Sequence, residues 1–518
     1  MKKKNNKSKN RVVLDNPAKS TYGIPTNYNN KKGKEKNTFS RVLGLTLSVI
    51  QLVMVVIFLL SLFILNMFPT KYLAVIGIVL VIIWIGIFCS QFFSKKNGVT
   101  GKIISVLMSC ILAFGSFYIF KTNGTIEEIS GGGKKVDRMV VAVLKDDPAD
   151  SIEDARNYEF GVQYSMRGDD VKDTVATINE EISTEIDTKE YNNLREQAKG
   201  LHEGDVQAII YNEAYMGVLS DEFGDFSRDV KIIYSHEIES KLENTAENIE
   251  VKDNAFTVYI SGIDVYGAIE TNSRSDVNII AVVNPTSHQI LLVTTPRDYY
   301  VEIPGISGGE KDKLTHAGIY GVDASMATLG ALYNTEMDFY ARVNFTSLIT
   351  MINALGGVDV YSEQAFTTQD GLNVVQGINH FNGEQALFFS RERYNLADGD
   401  FQRGKNQQAV ITAMIKKAVS PAILMGANGI LESISGNVDT NMSSQQMQTL
   451  IKSQLANPAP WNIKSMAAEG TGDSQYCYSS SDALLYVTQP DYNSIENIKA
   501  AIESVKAGNV FEDSEIAQ

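Results

Sequence analysis

The chain has 518 residues, a formal net charge of −15 and 44% hydrophobic residues, so its length allows two or more domains with sizeable cores. Two of its three cysteines, Cys89 and Cys110, lie in long apolar stretches, which excludes an intrachain disulfide framework in the region that follows them. The five histidines are scattered without zinc-type spacing and give little support to a histidine-based metal site or catalytic triad.

The first 41 residues form a basic head. Residues 1–36 contain eleven lysine and arginine residues against two acidic residues, a net charge of +9, so the remainder of the chain carries −24. A basic segment before an apolar run is typical of the cytoplasmic flank of a membrane anchor. A nucleic-acid-binding arm is the poorer alternative, because the head has no recognisable fold. We therefore predict a cytoplasmic head and no nucleic-acid partner.

Three apolar stretches follow, at residues 42–68, 72–93 and 103–120, and each is long enough to cross a bilayer. A lysine-rich segment separates the second from the third, and with the N-terminus inside it lies on the same cytoplasmic side as the head. The first stretch starts too late and is too long for a cleaved signal peptide. The sequence thus predicts a multi-pass protein of the cell membrane with a large extracellular C-terminal region.

Residues 136–242 alternate β-rich runs with polar helical stretches, which is typical of a small α/β domain. The β-rich runs are at 139–144 and 206–210, and the helical stretches are at 170–182 and 189–199. No catalytic constellation stands out among its many acidic residues. We predict an accessory α/β domain that a polar linker joins to the rest of the chain.

The second external segment, residues 255–518, is predicted to form a mixed β-sheet flanked by helices, so the fold class is α/β. A strand at 255–260 precedes a β-hairpin whose strands at 278–283 and 289–294 flank a Pro-Thr-Ser-His turn. Further elements are predicted as helices at 324–333, 345–355, 423–434, 443–455 and 495–505 and as a strand at 358–361.

Charged residues stand at strand ends or in the adjoining loops, where ligands of α/β proteins tend to collect. They are Asp264, Arg274, Asp276 and Arg297. Taken singly, each has an ordinary structural explanation, such as a local ion pair between Arg297 and Asp298.

The stretch at residues 386–411 is predicted to be the working centre of this domain. It begins as an apolar run, predicted to be a strand that presents two arginines on one face, and continues through a polar loop into a helix capped by an aspartate. Arginine forks bind phosphoryl oxygens and a carboxylate can hold a divalent cation beside them, so the combination suits a multiply charged phosphate ligand. The alternative is a solvated charged loop. The candidate residues are Arg391, Arg393, Asp400, Arg403 and Gln407.

Eight short blocks, in order and with sensible gaps, resemble those of the LytR-CpsA-Psr family. The blocks are Ser261–Asp264, Arg274–Asn278, Pro296–Asp298, Lys313–Ala317, Asn344–Phe345, Gly356–Asp359, Ser390–Arg393 and Asp400–Gln407. The resemblance covers the chain from about Ala255 to the C-terminus, and the three spans with the accessory domain resemble the capsule-associated branch. One departure is Asn406, where many relatives have arginine, so that one cationic contact is either missing or supplied by Lys405.

The resemblance implies a transferase that moves a glycan phosphate from a polyprenyl pyrophosphate carrier to peptidoglycan outside the membrane, with Mg²⁺ at the pyrophosphate. It also implies that the lipid tail lies between sheet and helices. From the domain order, the expected glycan is a capsular polysaccharide or exopolysaccharide, with pyrophosphatase as a side activity. The alternative function is a non-enzymatic membrane sensor that binds the lipid-linked glycan and signals to cytoplasmic regulators of polysaccharide synthesis.

Phosphoryl transfer from a charged pyrophosphate diester needs positioned positive charge more than covalent chemistry. The residues expected to supply catalysis are Asp264, Arg274, Arg297, Arg391, Arg393 and Arg403, with Lys313 and Gln407 binding substrate and Asp276 and Asp400 as magnesium ligands. Asp264 acts either electrostatically or as the base. For the lipid tail, Ile280, Val282, Leu291 and Val293 opposite the small-residue helix at 324–331 form either a slot or ordinary core packing.

Overall fold

The structure is a computed structural model. It describes residues 29–93, 98–129, 134–224, 226–242, 246, 248–263, 269, 271–396, 399–420 and 436–509, without the side chains of residues 29–37, 400, 401, 481 and 482. The predicted helix at 423–434 and most of the basic head lie outside these residues. Of these described residues, 29–57 and 76–113 form one compact unit, and 58–75 with those between 114 and 509 form a second.

Three long N-terminal helices confirm the three predicted apolar elements. They are α1 (Asn29–Leu65), α2 (Thr70–Phe93) and α3 (Val99–Ile129). Each contains a segment long and apolar enough to cross a membrane, with mean hydropathies of 2.9, 2.9 and 2.2. Within the first unit, Trp84 of α2 donates to the carbonyl oxygen of Ser48 and Ser105 of α3 to that of Leu47, both at 2.9 Å. Such interhelical hydrogen bonds satisfy polar groups that lipid cannot.

The accessory domain is a five-stranded sheet with helices packed on it. Its elements are β1 (Lys134–Leu144), β2 (Glu159–Val162), α4 (Gly168–Ile182), β3 (Asp187–Glu190), α5 (Leu194–His202), β4 (Ala208–Asn212), α6 (Met216–Phe223), α7 (Phe226–Asp229) and β5 (Val230–Lys241). The strand order is β3-β2-β4-β1-β5. Alternate residues of β1 enter two different cores, Val140 on one face and Val141 on the other, so both faces of this strand are buried.

One accessory-domain prediction is wrong in part. The helix predicted from Lys189 starts only at Leu194, where the Asn193 side chain accepts from the Glu196 amide, and Lys189 itself lies in β3. The polar composition of this segment masked a short strand that pairs in parallel with β2.

The C-terminal domain is built on a six-stranded mixed sheet, which confirms the predicted fold class. Its elements are β6 (Phe256–Ile263), β7 (Ser275–Asn284), β8 (Gln289–Thr294), β9 (Tyr300–Glu302), β10 (Lys311–Lys313), α8 (Leu314–Ala317), α9 (Val322–Tyr333), β11 (Phe339–Val343), α10 (Phe345–Ala354), β12 (Val358–Ser362), β13 (Phe366–Thr367), β14 (Asn373–Val374), β15 (Gly377–Phe381), α11 (Gly383–Arg391), α12 (Gly399–Ala418), β16 (Asp439–Thr440), α13 (Ser444–Ala456), β17 (Asn462–Ala467), β18 (Gly470–Cys477), β19 (Ser480–Pro490) and α14 (Tyr492–Lys506). The sheet order is β16-β11-β6-β7-β8-β17.

Helices cover both faces of this sheet. On one face α9 and α14 bury a core in which Ile280, Val282, Leu291 and Val293 are all fully buried. These four residues are therefore ordinary core, and the lipid slot considered for them is not there. On the opposite face, Ile279 and Leu292 pack towards α12, and α10, α11 and α12 complete that layer.

The strand predicted to carry Arg391 and Arg393 is wrong, because residues 383–391 form helix α11. Asn382 caps the helix by accepting from the Gln385 amide, and the Gln385 side chain accepts from the Asn382 amide in return. This capping box outweighs the apolar run that suggested a strand. The next helix begins at Gly399, so Asp400 falls in its first turn rather than at the cap position.

Polar contacts join the ends of the N-terminal helices to α13 within the second unit. Lys452 Nζ donates to Asn66 Oδ1 at 2.8 Å, and Gln448 Nε2 donates to Asn123 Oδ1 at 3.2 Å. The turn after α1 and the last part of α3 therefore contact helix α13 of the C-terminal domain.

Candidate active site

A cavity of about 490 Å³ opens between one face of the six-stranded sheet and helices α10, α11 and α12. Part of its wall is apolar, formed by Ile260, Val277, Val343, Leu348, Leu387, Val410 and Ile411. Seven of the ten residues proposed from sequence line the same cavity: Arg274, Asp276, Arg297, Arg391, Arg393, Arg403 and Gln407. Residues up to 133 positions apart in the sequence are thus brought together beside an apolar wall.

Three of the proposed residues are not placed in the cavity lining. Lys313 is buried beside it and bonds to acidic side chains rather than lining the cavity. Asp264 lies outside the described residues, and so does the side chain of Asp400. Their roles stay predictions.

Asp276 and Arg297 form the inner part of the site because the β7–β8 hairpin sets them opposite each other. Ile279 pairs with Thr294 in this hairpin, and continuing the register by three residues brings Arg297 to Asp276. Arg297 Nη1 donates to Asp276 Oδ1 at 3.0 Å, and the Thr315 hydroxyl donates to the same oxygen at 3.2 Å. The two charged side chains are only 20% and 15% exposed, so solvent screens this pair weakly.

The Asp276 carboxylate is held in its charged form. Burial by itself raises the pKa of Asp276, but the guanidinium groups of Arg297, Arg274 and Arg403 outweigh burial and lower the pKa below its ordinary value. The carboxylate is therefore ionised at neutral pH.

The lowered pKa of Asp276 predicts a pH dependence of stability. The stabilisation from its carboxylate should be complete above about pH 4 and lost as the pH falls through the lower folded-state pKa. In Arg297→Gln the strongest opposing charge is gone, so the folded-state pKa of Asp276 rises towards its unfolded value or beyond it. The variant should therefore be less stable near pH 7 and should lose less stability than wild type as the pH falls from about 5 to about 3. Thermal midpoints from pH 7 to pH 3 test this, with Arg156→Gln on the surface as control. Parallel curves for wild type and Arg297→Gln would contradict it.

Two arginines at the end of α11 stand over aromatic rings. The Arg391 guanidinium lies 4.4 Å from the Phe345 ring centroid, and that of Arg393 lies 4.4 Å from the Tyr394 ring centroid. A guanidinium group stacked on a ring face is held in one orientation, so the rings fix the direction of these two charges.

Glu392, between these arginines, is a positioning residue that the sequence did not single out. Its carboxylate is buried and accepts from the backbone amides of Gln369 at 2.6 Å and of Arg393 and Asn395 at 3.0 Å. These bonds fix the turn that carries Arg393. The only sequence signal is an acid between two arginines, which does not distinguish a buried turn residue from a solvated one.

Asn406 does not contact the cavity. It is buried, accepts from Gln402 at 3.3 Å and donates to the carbonyl oxygen of Phe389 at 3.3 Å, so it ties α12 to α11. Lys405 faces outward and pairs with Glu363 at 3.3 Å. Lys405 therefore does not supply a replacement cation to the site.

A second layer of charges surrounds Arg274 and Lys313. Lys313 Nζ lies 3.3 Å from Asp298 Oδ1, and Arg297 Nε lies 3.5 Å from the other oxygen of the same carboxylate. Arg274 Nη1 lies 3.3 Å from Asp221 Oδ2, and Asp221 belongs to α6 of the accessory domain. Asp221 could not be singled out from the sequence, because it lies 53 residues before Arg274 and outside the eight blocks.

The residues that the structure describes around the cavity could hold a magnesium ion only together with a substrate phosphate. Among the described residues, no group of three or more His, Cys, Asp or Glu side chains could enclose a metal ion. Mg²⁺ typically binds through one or two carboxylates plus substrate phosphates, and Asp276 is an ionised carboxylate in the cavity wall. The arrangement thus suits an ion shared between Asp276 and a bound phosphate, with Asp400 as the candidate second carboxylate.

Comparison with known proteins finds a family model, named relatives and solved structures that are similar to this chain. The model of the LytR_cpsA_psr family matches residues 225–501. A protein named polyisoprenyl-teichoic acid–peptidoglycan teichoic acid transferase TagU from Bacillus anthracis is 31% identical over 276 residues, covering 50% of this chain and 87% of that protein. The TagU of Enterococcus faecalis is 32% identical over 262 residues, covering 50% and 84%. The crystal structure of B. subtilis TagV aligns with a TM-score of 0.43 at 24% identity, over 50% of this chain and all of that one.

Proposed function

This chain belongs to the LytR_cpsA_psr family, and we propose that it transfers a phosphate-linked wall glycopolymer from a polyprenyl pyrophosphate carrier to peptidoglycan. The observation that carries the proposal is the single cavity in which five arginines and an ionised aspartate meet an apolar wall. The arginines suit the charged pyrophosphate of such a donor, and the apolar wall suits its polyprenyl tail. Relatives that are 31–32% identical are named as transferases with this kind of donor and acceptor.

The arginines supply the electrostatic part of the mechanism. A pyrophosphate diester carries two negative charges that repel an incoming nucleophile and that spread over the phosphoryl oxygens during transfer. Arg274, Arg297 and Arg403 lie close enough to Asp276 to lower its pKa, so their positive charges act on one region of the cavity. Arg391 and Arg393 reach the same cavity from α11. Fixed positive charge in a partly buried site stabilises the transition state without solvent reorganisation.

The chemical step is a single displacement at phosphorus. A peptidoglycan hydroxyl oxygen forms a bond to the sugar-linked phosphorus while the bridging P–O bond breaks. Polyprenyl monophosphate leaves with the bonding electron pair, and the hydroxyl proton passes to a carboxylate or to water. A Mg²⁺ ion held by Asp276 and Asp400 would neutralise phosphoryl charge in this step.

Several features support the finer parts of the proposal. The apolar wall formed by Ile260, Val277 and Leu387 among others gives the lipid tail a place beside the arginines. The contacts of α13 with Asn66 and Asn123 hold the turn after α1 and the last part of α3 against the C-terminal domain. We propose that this domain lies outside the cell and the basic head in the cytoplasm, so that the donor is met at the membrane surface. We assign the glycan to capsular polysaccharide or exopolysaccharide from the three-span and accessory-domain arrangement.

Transfer by the purified full-length protein tests the proposal. The protein in detergent would be incubated with lipid-linked glycan, peptidoglycan and Mg²⁺, and both products would be followed. The proposal expects release of polyprenyl monophosphate together with glycan bound covalently to peptidoglycan. Binding of the lipid-linked glycan without release of polyprenyl monophosphate would instead favour a non-enzymatic membrane sensor. Release of monophosphate without transfer of glycan would show that the activity is pyrophosphate hydrolysis.

Removal of the divalent cation is expected to abolish most of this activity. EDTA should lower the transfer rate by at least about tenfold, since a lost charge contact to a phosphoryl group costs several kcal/mol. Added Mg²⁺ should restore the rate, and Asp276→Asn should require more Mg²⁺ for half-maximal rate. Asp169→Asn removes a fully exposed carboxylate of the accessory domain and should leave the Mg²⁺ requirement unchanged. Full activity in EDTA would contradict the assigned metal.

A further inference from the structure

Helix α6 of the accessory domain lies directly against Arg274 of the cavity. Gly217 is the point of contact: a Cβ atom there would overlap Cζ and Nε of Arg274 and would lie 2.7 Å from Nη1. The guanidinium group therefore rests on the helix backbone at a position that only glycine leaves open.

Asp221 lies one turn further along the same face of α6, since residues four apart are neighbours on a helix. Its Oδ2 atom is 3.3 Å from Arg274 Nη1 and 3.8 Å from Lys313 Nζ. We call Gly217 and Asp221 the cradle of Arg274: Gly217 leaves space for the guanidinium group, and the Asp221 carboxylate bonds to it. Five donor N–H groups on a guanidinium let Arg274 bond to Asp221 and still present donors to the cavity.

The cradle is held firmly to the C-terminal domain. Glu222, the next residue of α6, is 3% exposed at its side chain and accepts a hydrogen bond from the Ser480 hydroxyl of β19. Asn272, two residues before Arg274, makes two bonds to strand β1. Its side-chain Nδ2 donates to buried Asp137 at 2.9 Å, and its backbone N–H donates to the carbonyl oxygen of Val136 at 2.9 Å. The loop that carries Arg274 is thus fixed on two sides by the accessory domain.

Charged contacts connect the cradle to Asp276 in the cavity. Arg274 lines the cavity and contributes to the charge that keeps Asp276 ionised. Lys313, the second cation that Asp221 contacts, shares Asp298 with Arg297. Asp221 therefore begins a chain of alternating charges that ends at Asp276.

We propose that α6 of the accessory domain is part of the active site, with Gly217 and Asp221 as positioning residues that aim Arg274 at the donor pyrophosphate. This inference rests on the proposed function and deepens it. The accessory domain is then required for efficient transfer and is more than a spacer between the membrane and the C-terminal domain.

Gly217→Ala in the full-length protein separates positioning from charge and from folding. The change leaves every charge in place and favours the helix, so the thermal midpoint should not fall. Displacement of Arg274 should lower kcat/KM for transfer, and the affinity for geranylgeranyl diphosphate in detergent, by about tenfold to a hundredfold. In the Arg274→Ala background the same substitution should change neither quantity, because the group that it displaces is gone.

Two further variants complete the experiment. Asp221→Asn should lower the same two quantities, with Asp221→Glu recovering part of the loss. Gly124→Ala on α3 serves as the helical glycine control and should be silent, because a Cβ atom there would meet nothing within 4 Å. An unchanged affinity in Gly217→Ala, or an equal loss with and without Arg274, would overturn the inference. Diphosphate affinity is measured independently of transfer, so a protein that binds but does not transfer would refute the proposed function and still decide the role of α6.

Discussion

Arg391→Ala is expected to lower the rate of glycan transfer by about a hundredfold, corresponding to roughly 3 kcal/mol of transition-state stabilisation. Arg391 ends α11, lines the cavity and is oriented by the Phe345 ring, so its charge is placed before the donor arrives. Loss of a preorganised charge of this kind raises the barrier more than it weakens substrate binding. Steady-state kinetics should show the effect mainly in kcat.

Two comparisons make the Arg391 result specific. Arg391→Lys keeps the charge but loses the planar fork that stacks on Phe345, so it should recover only a minor part of the activity. Arg156→Ala removes an exposed arginine of the accessory domain and should have no effect. A normal transfer rate for purified Arg391→Ala would remove this residue from the catalytic group.

Arg342→Ala is expected to produce the largest loss of stability, about 3–5 kcal/mol, because it removes the cationic partner of a buried carboxylate. Arg342 on β11 stands opposite Asp439 on β16 in the sheet, and its Nη2 lies 2.7 Å from Asp439 Oδ2. The side chains are 4% and 7% exposed. Thermal unfolding of the full-length protein in detergent measures the change.

Removal of both charges should restore much of that stability. Arg342→Met combined with Asp439→Leu leaves no unpaired ion in the sheet, and such replacements of a buried pair are often close to neutral. Arg342 is absent from the cavity lining, so the double variant should keep its transfer rate if it folds. A single variant as stable as wild type would show that the pair contributes nothing to the fold.

Features set by local sequence were predictable. The three apolar helices follow from length and hydropathy, and the β7–β8 hairpin follows from alternation around a turn. That hairpin alone brings Asp276 to Arg297, which is why residues at strand ends were good candidates for one site. The remaining arginines were predicted from the family resemblance of the blocks that contain them, and they line the same cavity.

Features set by competition between local signals were harder to predict. The apolar run Leu387–Phe389 fits a strand as well as a buried helix, and the decision came from the capping box at Asn382 and Gln385. Glu392 has a polar sequence context, yet the fold buries it to close the turn beside Arg393.

Features set by tertiary packing were not predictable at all. Asp221 and Gly217 belong to another domain, and only the docking of α6 brings them to Arg274. The four alternating residues from Ile280 to Val293 face the core rather than the cavity because α9 and α14 cover their side of the sheet. A single sequence shows which strand residues alternate but does not tell which of the two faces holds the ligand.

A structure of the full-length protein with geranylgeranyl diphosphate bound would show directly where the donor lies. We expect the two phosphorus atoms to lie among Arg274, Arg297, Arg391 and Arg403, with the prenyl chain along Ile260, Val277 and Leu387. Diphosphate bound away from these arginines, or a prenyl chain on the α9 side of the sheet, would contradict this expectation.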